Sequence, residues 1–321
     1  MTSTTVAGPV RVAGSTLHTE VTGEGPVLVL IPGGGGDAEM YADIVPVLAA
    51  RFTVITFDRR GNSRSPLDDE SSPIAIPDQA ADVIAVLDHY QVDRAYVFGN
   101  SGVAIISLDL LARNHVRLLG AVVHEPPLVR LLPGSPEEKY LDDLLRIART
   151  EGPLRAFVAF AAMTMPKPPR LFQTSAGRTA TAAAMWVIRA CGSATRLVTG
   201  REPGGMQRLI GNAGILFNRE LPNFCYEYEP DLAALQAVPV AWCLATGHDS
   251  VGRPYYRPAH FLSEKLGVPC VEFPGGHTAY QQQPADFATR LIDILDGFPH
   301  DDTSPSRSGA ASSADEANAQ P

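Results

Sequence analysis

Six short apolar runs recur along the chain with longer helical patterns between them: VLVLIP (27–32), FTVITF (52–57), AYVFG (95–99), LLGAVV (118–123), VPVAWCLA (238–245) and VPCVEF (268–273). Near-continuous, β-rich runs of this kind belong to strands covered on both faces, which is the signature of parallel pairing. The helical patterns between them, over roughly 38–50, 78–90, 102–114, 255–266 and 284–296, supply the crossovers that parallel strands require. The alternation predicts an α/β fold with a mostly parallel central sheet and helices on both faces. Ahead of the first run, GPVRVAG and STLHTEVTG read as an antiparallel pair that extends one edge.

Between residues 128 and 236 the alternation gives way to helices alone. Ser135, Pro136 and Glu138 form a capping-box start, and Leu141, Leu144, Leu145 and Ala148 make one apolar stripe. Further helical stretches are expected near 153–164, 178–190 and 205–217, punctuated by MPKPPR and REPGG. Helices inserted between two strands of a parallel sheet stand over the strand ends, where such sheets bind ligands. The expected organisation is a core of residues 1–127 and 237–298, a helical lid over 128–236 and a polar, non-periodic tail over 299–321 that we read as disordered.

Charge and cysteine usage narrow the function classes. The net charge is −9, and the 26 Lys and Arg residues form no basic run longer than Arg59-Arg60, so a nucleic-acid partner is not expected. Cys191, Cys225, Cys243 and Cys270 show no CxxC spacing and read as reduced, packed thiols. The N-terminus lacks a basic segment followed by an apolar run, and no apolar stretch is long enough to span a bilayer. No membrane partner and a cytoplasmic location are the expectation. A chain of 321 residues with 45% hydrophobic content can bury a large core.

The strand AYVFG runs through Gly99-Asn100-Ser101-Gly102-Val103 into the helix AIISLDLLARN, a G-x-S-x-small nucleophile elbow in its strand–turn–helix setting. The turn demands small residues two before and two after the nucleophile. Val103 departs from that rule, and Ala104 beside it relieves the crowding. The loop IPGGGGDAEMY follows an earlier strand, and acyl transfer needs backbone N–H groups aimed at the developing oxyanion from these two places. Gly34 and Gly102 fit that role. A phosphate cradle is disfavoured because no Lys-Ser/Thr follows the glycines, and a dinucleotide site because the acidic residue after the next strand is missing. After the last strand, FPGGHTAY places His277 on a loop that can reach over the sheet edge toward Ser101 as its base. The chain order nucleophile, acid, base is that of an α/β-hydrolase, a fold the chain resembles over residues 8–298, with TFDRRGNSRSP (56–66) similar to that fold's turn after the strand following the oxyanion loop.

The base needs a carboxylate to hold its tautomer, and two end strands beside the nucleophile strand: Asp249 in ATGHDSVG and Glu125 in VVHEPP. Both are compatible with strand-end placement. A glutamate's extra methylene helps it reach across one strand spacing of roughly 4.8 Å. HEPP further resembles the His-Glu-x-Pro of fungal zearalenone lactonases, whose triad is Ser–His–Glu. That resemblance implies Ser101, Glu125 and His277 as triad, Gly34 in the oxyanion site, and Trp186 with Met185 at the substrate, although both also read as plain lid core. We read Glu125 as the acid and Asp249 as the alternative.

The expected activity is hydrolysis of a carboxylic ester, preferably a lactone such as zearalenone; general carboxylesterase, C–C bond hydrolase and non-catalytic receptor are the rival readings. Met163, Met165, Met185, Trp186 and Met206 suggest an apolar substrate of some size. No cofactor is implied. Metal binding is not expected, because His124-Glu125 and His248-Asp249 are adjacent pairs whose side chains diverge and lack a third ligand. The apolar lid helices offer contact surfaces for a homo-oligomer.

Overall fold

The computed structural model describes residues 4–299, so all but the first residue of the expected tail over 299–321 lies outside the described residues. Eight strands form one sheet in the order β1-β2-β4-β3-β5-β6-β7-β8. They are β1 (Thr5–Val12), β2 (Ser15–Thr22), β3 (Val27–Ile31), β4 (Thr53–Phe57), β5 (Ala95–Asn100), β6 (Leu118–His124), β7 (Trp242–Gly247) and β8 (Cys270–Phe273). From β4 to β8 every pairing is parallel, while β1 and β2 pair antiparallel with each other and β2 with β4, as the sequence predicts.

The continuity of the apolar runs has a direct cause. Successive side chains on a strand point to opposite faces, and here each face meets its own core. Val29, Ile31, Val97, Val123 and Leu244 pack on one side with the helices Ile76–His89 and Ala104–Asn114. Leu28, Leu30, Phe98, Val122 and Ala245 pack on the other against Tyr41, Leu48, Phe287 and Leu291, the last two from the helix Pro284–Asp296. With no solvated face, apolar residues fill most positions of both alternate sets. The expected helix over 38–50 is split into Ala38–Tyr41 and Val45–Leu48. Pro46 has no N–H to continue a ladder and sits instead in the first turn of the second piece.

Between β6 and β7 lies the helical insertion. Ser135 Oγ accepts from the Glu138 N–H at 3.2 Å to start the helix Pro136–Glu151, whose stripe of Leu141, Leu144, Leu145 and Ala148 is buried. Pro153–Thr164 follows as expected, and the next helix runs over Ser175–Thr199, longer than the sequence suggests, from a Thr174 cap to a left-handed Gly200. The single helix expected over 205–217 is instead Gly205–Gly211 and Ala213–Ile215, continued by two π-helical turns, Leu216–Glu220 and Asn223–Glu227. Pro222, lying between those turns, withholds an N–H from the ladder. Among the described residues no helix is long and apolar enough to cross a membrane. All four cysteines are free thiols.

Candidate active site

At the end of β5 the chain must turn back into a helix within a few residues. Ser101 takes the strain, with φ of 66°, a left-handed conformation costly for any residue but glycine. Gly99 makes the turn possible: a Cβ there would lie 2.3 Å from Ser107 Oγ and 3.0 Å from the Val103 carbonyl. Val103 itself is wholly buried in the core, so the demand for a small residue falls on Gly99 and the bulk of Val103 is absorbed.

The glycine loop after β3 closes on this elbow. A Cβ on Gly33 would meet the Asn100 carbonyl at 3.1 Å and Ser101 Cβ at 3.8 Å, so the absence of a side chain lets loop and nucleophile turn touch. Gly34, Ser101 and Gly102 line one small chamber with Phe160, Met163, Leu216, Phe224 and Tyr255. Its volume is about 20 Å³, room for little more than one water molecule. A wider cavity of about 500 Å³ lies outside it, and Met163 and Pro254 belong to the walls of both.

Strand β6 ends at His124, and Glu125 turns with φ of 52°. Its own N–H donates to the Ala245 carbonyl at 2.9 Å, which fixes the backbone and sends the side chain across the end of β7. There Oε1 accepts the Gly247 N–H at 2.8 Å, and Oε2 lies 2.5 Å from His277 Nδ1. Glu125 has no exposed surface and His277 only 3%. Burial pushes the Glu125 carboxyl up, but nearby His124 and the bond from His277 outweigh it and hold the group below its ordinary value. A charged carboxylate so placed forces the His277 proton onto Nδ1 and leaves Nε2 to accept.

His277 is held on two further sides. Asn100 Nδ2 donates to its carbonyl at 3.3 Å, and the Tyr255 ring stacks on the imidazole at 3.8 Å between centroids. Asn100 Oδ1 lies 2.8 Å from Nδ1 of His124, a buried residue whose pKa is lowered to about 4, chiefly by burial. Neither Asn100 nor Tyr255 was singled out by the sequence. Asn100 sits inside the G-x-S motif as its free position, and nothing local marks Tyr255 as a partner of a loop beyond the next strand.

The structure thus brings Ser101, Gly34 and Gly102 together at one chamber and Glu125 onto His277. Asp249 is not part of this group: its side chain is exposed, and its N–H donates to the Gly275 carbonyl at 2.9 Å. Trp186 is also apart. It is 63% exposed on the helix Ser175–Thr199, while Met185 is half-buried against the core. Of the methionines read as substrate-facing, Met163 lines the chamber; Met165 and Met206 are exposed. Among the described residues no group of three potential metal ligands occurs.

Comparison with known proteins identifies the family. Residues 28–290 match the model of the alpha/beta hydrolase family. The chain is 31% identical over 298 residues to the uncharacterized hydrolase YraK of Bacillus subtilis, covering 90% of this chain and 96% of that protein. A zearalenone hydrolase of Bionectria ochroleuca is 37% identical over 117 residues, which is 36% of this chain and 44% of that protein. The enol-lactonase of Burkholderia xenovorans LB400 has a similar structure, with a TM-score of 0.59 at 20% identity over 90% of this chain and all of that one.

Proposed function

Because the chain belongs to the alpha/beta hydrolase family, we propose that this hydrolase is a serine enzyme that cleaves a carboxylic ester, with a lactone as its preferred substrate class. Ser101 Oγ attacks the carbonyl carbon while His277 Nε2 takes its proton. The N–H groups of Gly34 and Gly102 receive the oxyanion, and His277 passes the proton to the departing alkoxide, leaving an acyl-enzyme. Water then attacks the acyl carbon, His277 again takes and returns a proton, and the free acid leaves. Glu125 keeps the imidazole in the required tautomer and compensates its transient positive charge.

The observation that carries the reading is the buried Glu125–His277 pair at 2.5 Å, whose histidine carbonyl is bonded by Asn100 next to the strained Ser101, itself followed by Gly102 and packed by Gly33. A purely structural histidine would not need a buried carboxylate on one nitrogen while the other stays free for a reacting group. The helices between β6 and β7 serve as a lid. A chamber of about 20 Å³ admits no lactone as it stands, so Met163 must yield toward the cavity of about 500 Å³ that shares its wall. The partial likeness to a zearalenone hydrolase supports a macrocyclic lactone as the first substrate to try. A carboxylesterase for short acyl groups is the second reading, favoured by the same small chamber.

The test incubates the protein and Ser101→Ala with zearalenone and with p-nitrophenyl acetate. A product one water heavier than the lactone, formed by the parent alone, supports the lactonase reading. Turnover of the acetate alone leaves the short-chain esterase, and no turnover of either refutes the proposal.

A further inference from the structure

Among the described residues Arg59 is the largest fully buried side chain, at 1% exposure, and it lies directly behind the glycine loop. Its Nε donates to the Pro32 carbonyl at 2.9 Å and its Nη2 to the Gly33 carbonyl at 3.1 Å. The remaining N–H groups reach Gln79 Oε1 at 2.6 Å and both oxygens of Glu220 at 2.5 and 2.8 Å. All five guanidinium donors are therefore used. Glu220, itself without exposed surface, accepts a further bond from Asn62 Nδ2 at 2.9 Å.

The Gly33 carbonyl belongs to the same planar peptide as the Gly34 N–H. In a trans peptide these two groups point in opposite directions, so a cation that fixes the carbonyl on one side aims the N–H on the other. The Gly36 N–H also donates to that carbonyl at 2.9 Å, and the Gly34 N–H itself has no acceptor among the described residues. Glu220 ends the first π-helical turn of the insertion, which Leu216 begins, and Phe224 lies in the second, Asn223–Glu227. Leu216 Cδ1 lies 3.8 Å from where a Gly34 Cβ would be, and the Phe224 ring 2.9 Å from a Gly102 Cβ. The Arg59 guanidinium in turn stands over the Phe224 ring at 5.6 Å.

We propose that Arg59 and Glu220 are positioning residues that set the Gly34 peptide for the oxyanion, so that the oxyanion site is complete only when the π-helical turn Leu216–Glu220 is docked. This deepens the serine-hydrolase reading and rests on it. Arg59 polarises the peptide whose N–H meets the developing charge, and Glu220 holds the guanidinium while tying it to the lid. The pair touches no reacting atom, so its effect falls on the transition state and spares ground-state binding.

The experiment compares the parent, Glu220→Gln, Arg59→Lys and the double variant Arg59→Met with Glu220→Leu. Turnover of p-nitrophenyl butyrate is measured together with affinity for phenylboronic acid, which bonds to Ser101 Oγ and presents tetrahedral oxygens to the oxyanion site. Removing one oxyanion donor outright lowers kcat by about 10²–10³-fold, so a misaimed donor is expected to lower it about 10–100-fold. KM should stay within about twofold, and boronic acid affinity should fall with kcat. Arg59→Lys should fail to rescue, since an ammonium cannot serve two carbonyls and a carboxylate in the guanidinium's fork geometry. The double variant separates this role from plain stability, because an apolar replacement of a buried ion pair restores folding without restoring the aim of the peptide. Its thermal midpoint should recover toward the parent's while kcat stays low. Parent-like kcat in the double variant, or a loss confined to KM with boronic acid affinity unchanged, overturns the inference and leaves the hydrolase reading intact. A parent that neither turns over the ester nor binds the boronic acid refutes both.

Discussion

Glu125→Gln changes the acid's charge and almost nothing of its shape, and the structure dictates how the new amide must sit. One oxygen of Glu125 receives the Gly247 N–H at 2.8 Å, and the other faces His277 Nδ1 at 2.5 Å. Glutamine has one oxygen to offer. Turning its NH₂ toward Gly247 would set two donors against each other in a site with no exposed surface, a penalty of roughly 1–3 kcal/mol. The amide oxygen therefore stays on Gly247 and the NH₂ donates to Nδ1. His277 must then carry its proton on Nε2, the nitrogen meant to receive the Ser101 proton. Loss of the productive tautomer in a serine triad lowers kcat by about 10⁴-fold, near 5.5 kcal/mol of transition-state stabilisation at 1.36 kcal/mol per decade. KM for p-nitrophenyl acetate should change little. Asp249→Asn, at an exposed position apart from His277, should keep kcat within about threefold. Steady-state kinetics of both variants decides the matter. A Glu125→Gln enzyme within tenfold of the parent would refute the tautomer argument, and a collapse in Asp249→Asn would return the acid's role to that residue.

Further outcomes follow from burial and packing. His124 is held neutral, its pKa lowered from 6.5 to about 4. The unfolded chain therefore binds the extra proton between those values, and stability present above pH 6.5 is lost as pH falls toward 4, by roughly 3 kcal/mol. Urea unfolding across that range should show the slope, and His124→Phe should flatten it. The lowered Glu125 acts in the same direction below 4.5. Met163→Ala should open the partition between the two cavities and raise kcat/KM for bulky esters relative to acetate, whereas Trp186→Ala should leave both values within about twofold; equal effects would place the entry route elsewhere. Gly99→Ala would press its new Cβ on Ser107 Oγ, which is buried and has no partner. A cost of about 1–3 kcal/mol in chemical denaturation is expected, partly recovered by Ser107→Ala.

What could be read from the chain was whatever short-range chemistry dictates. Six core strands were legible because both sheet faces are buried, and the largest differences in their bounds lie beside prolines. The runs 238–245 and 268–273 begin as strands only at Trp242 and Cys270, after Pro239 and Pro269, which cannot donate to a ladder. The positions of Ser101, Glu125 and His277 were legible because each ends a strand or follows one. The Tyr255 stack, the Asn100 bridge and the Arg59–Glu220 pair were not, since each joins segments far apart in the chain and leaves no periodicity behind.

The insertion misled for a physical reason. Apolar residues on an amphipathic helix are expected to face inward, yet the helix Ser175–Thr199 buries Gly177, Ala182 and Gly192 and turns Trp186, Val187, Leu197 and Val198 outward. Close approach decides this. A Cβ on Gly177 would lie 1.9 Å from the Leu171 carbonyl, and one on Gly192 would lie 2.8 Å from Gln207 Oε1. Where backbones pack this tightly, glycines mark the inner face and bulk marks the outer one. The part of the insertion that meets the nucleophile is accordingly not this helix: Phe160 and Leu216 stand nearest the space that Gly34 leaves open, and Phe224 nearest that of Gly102.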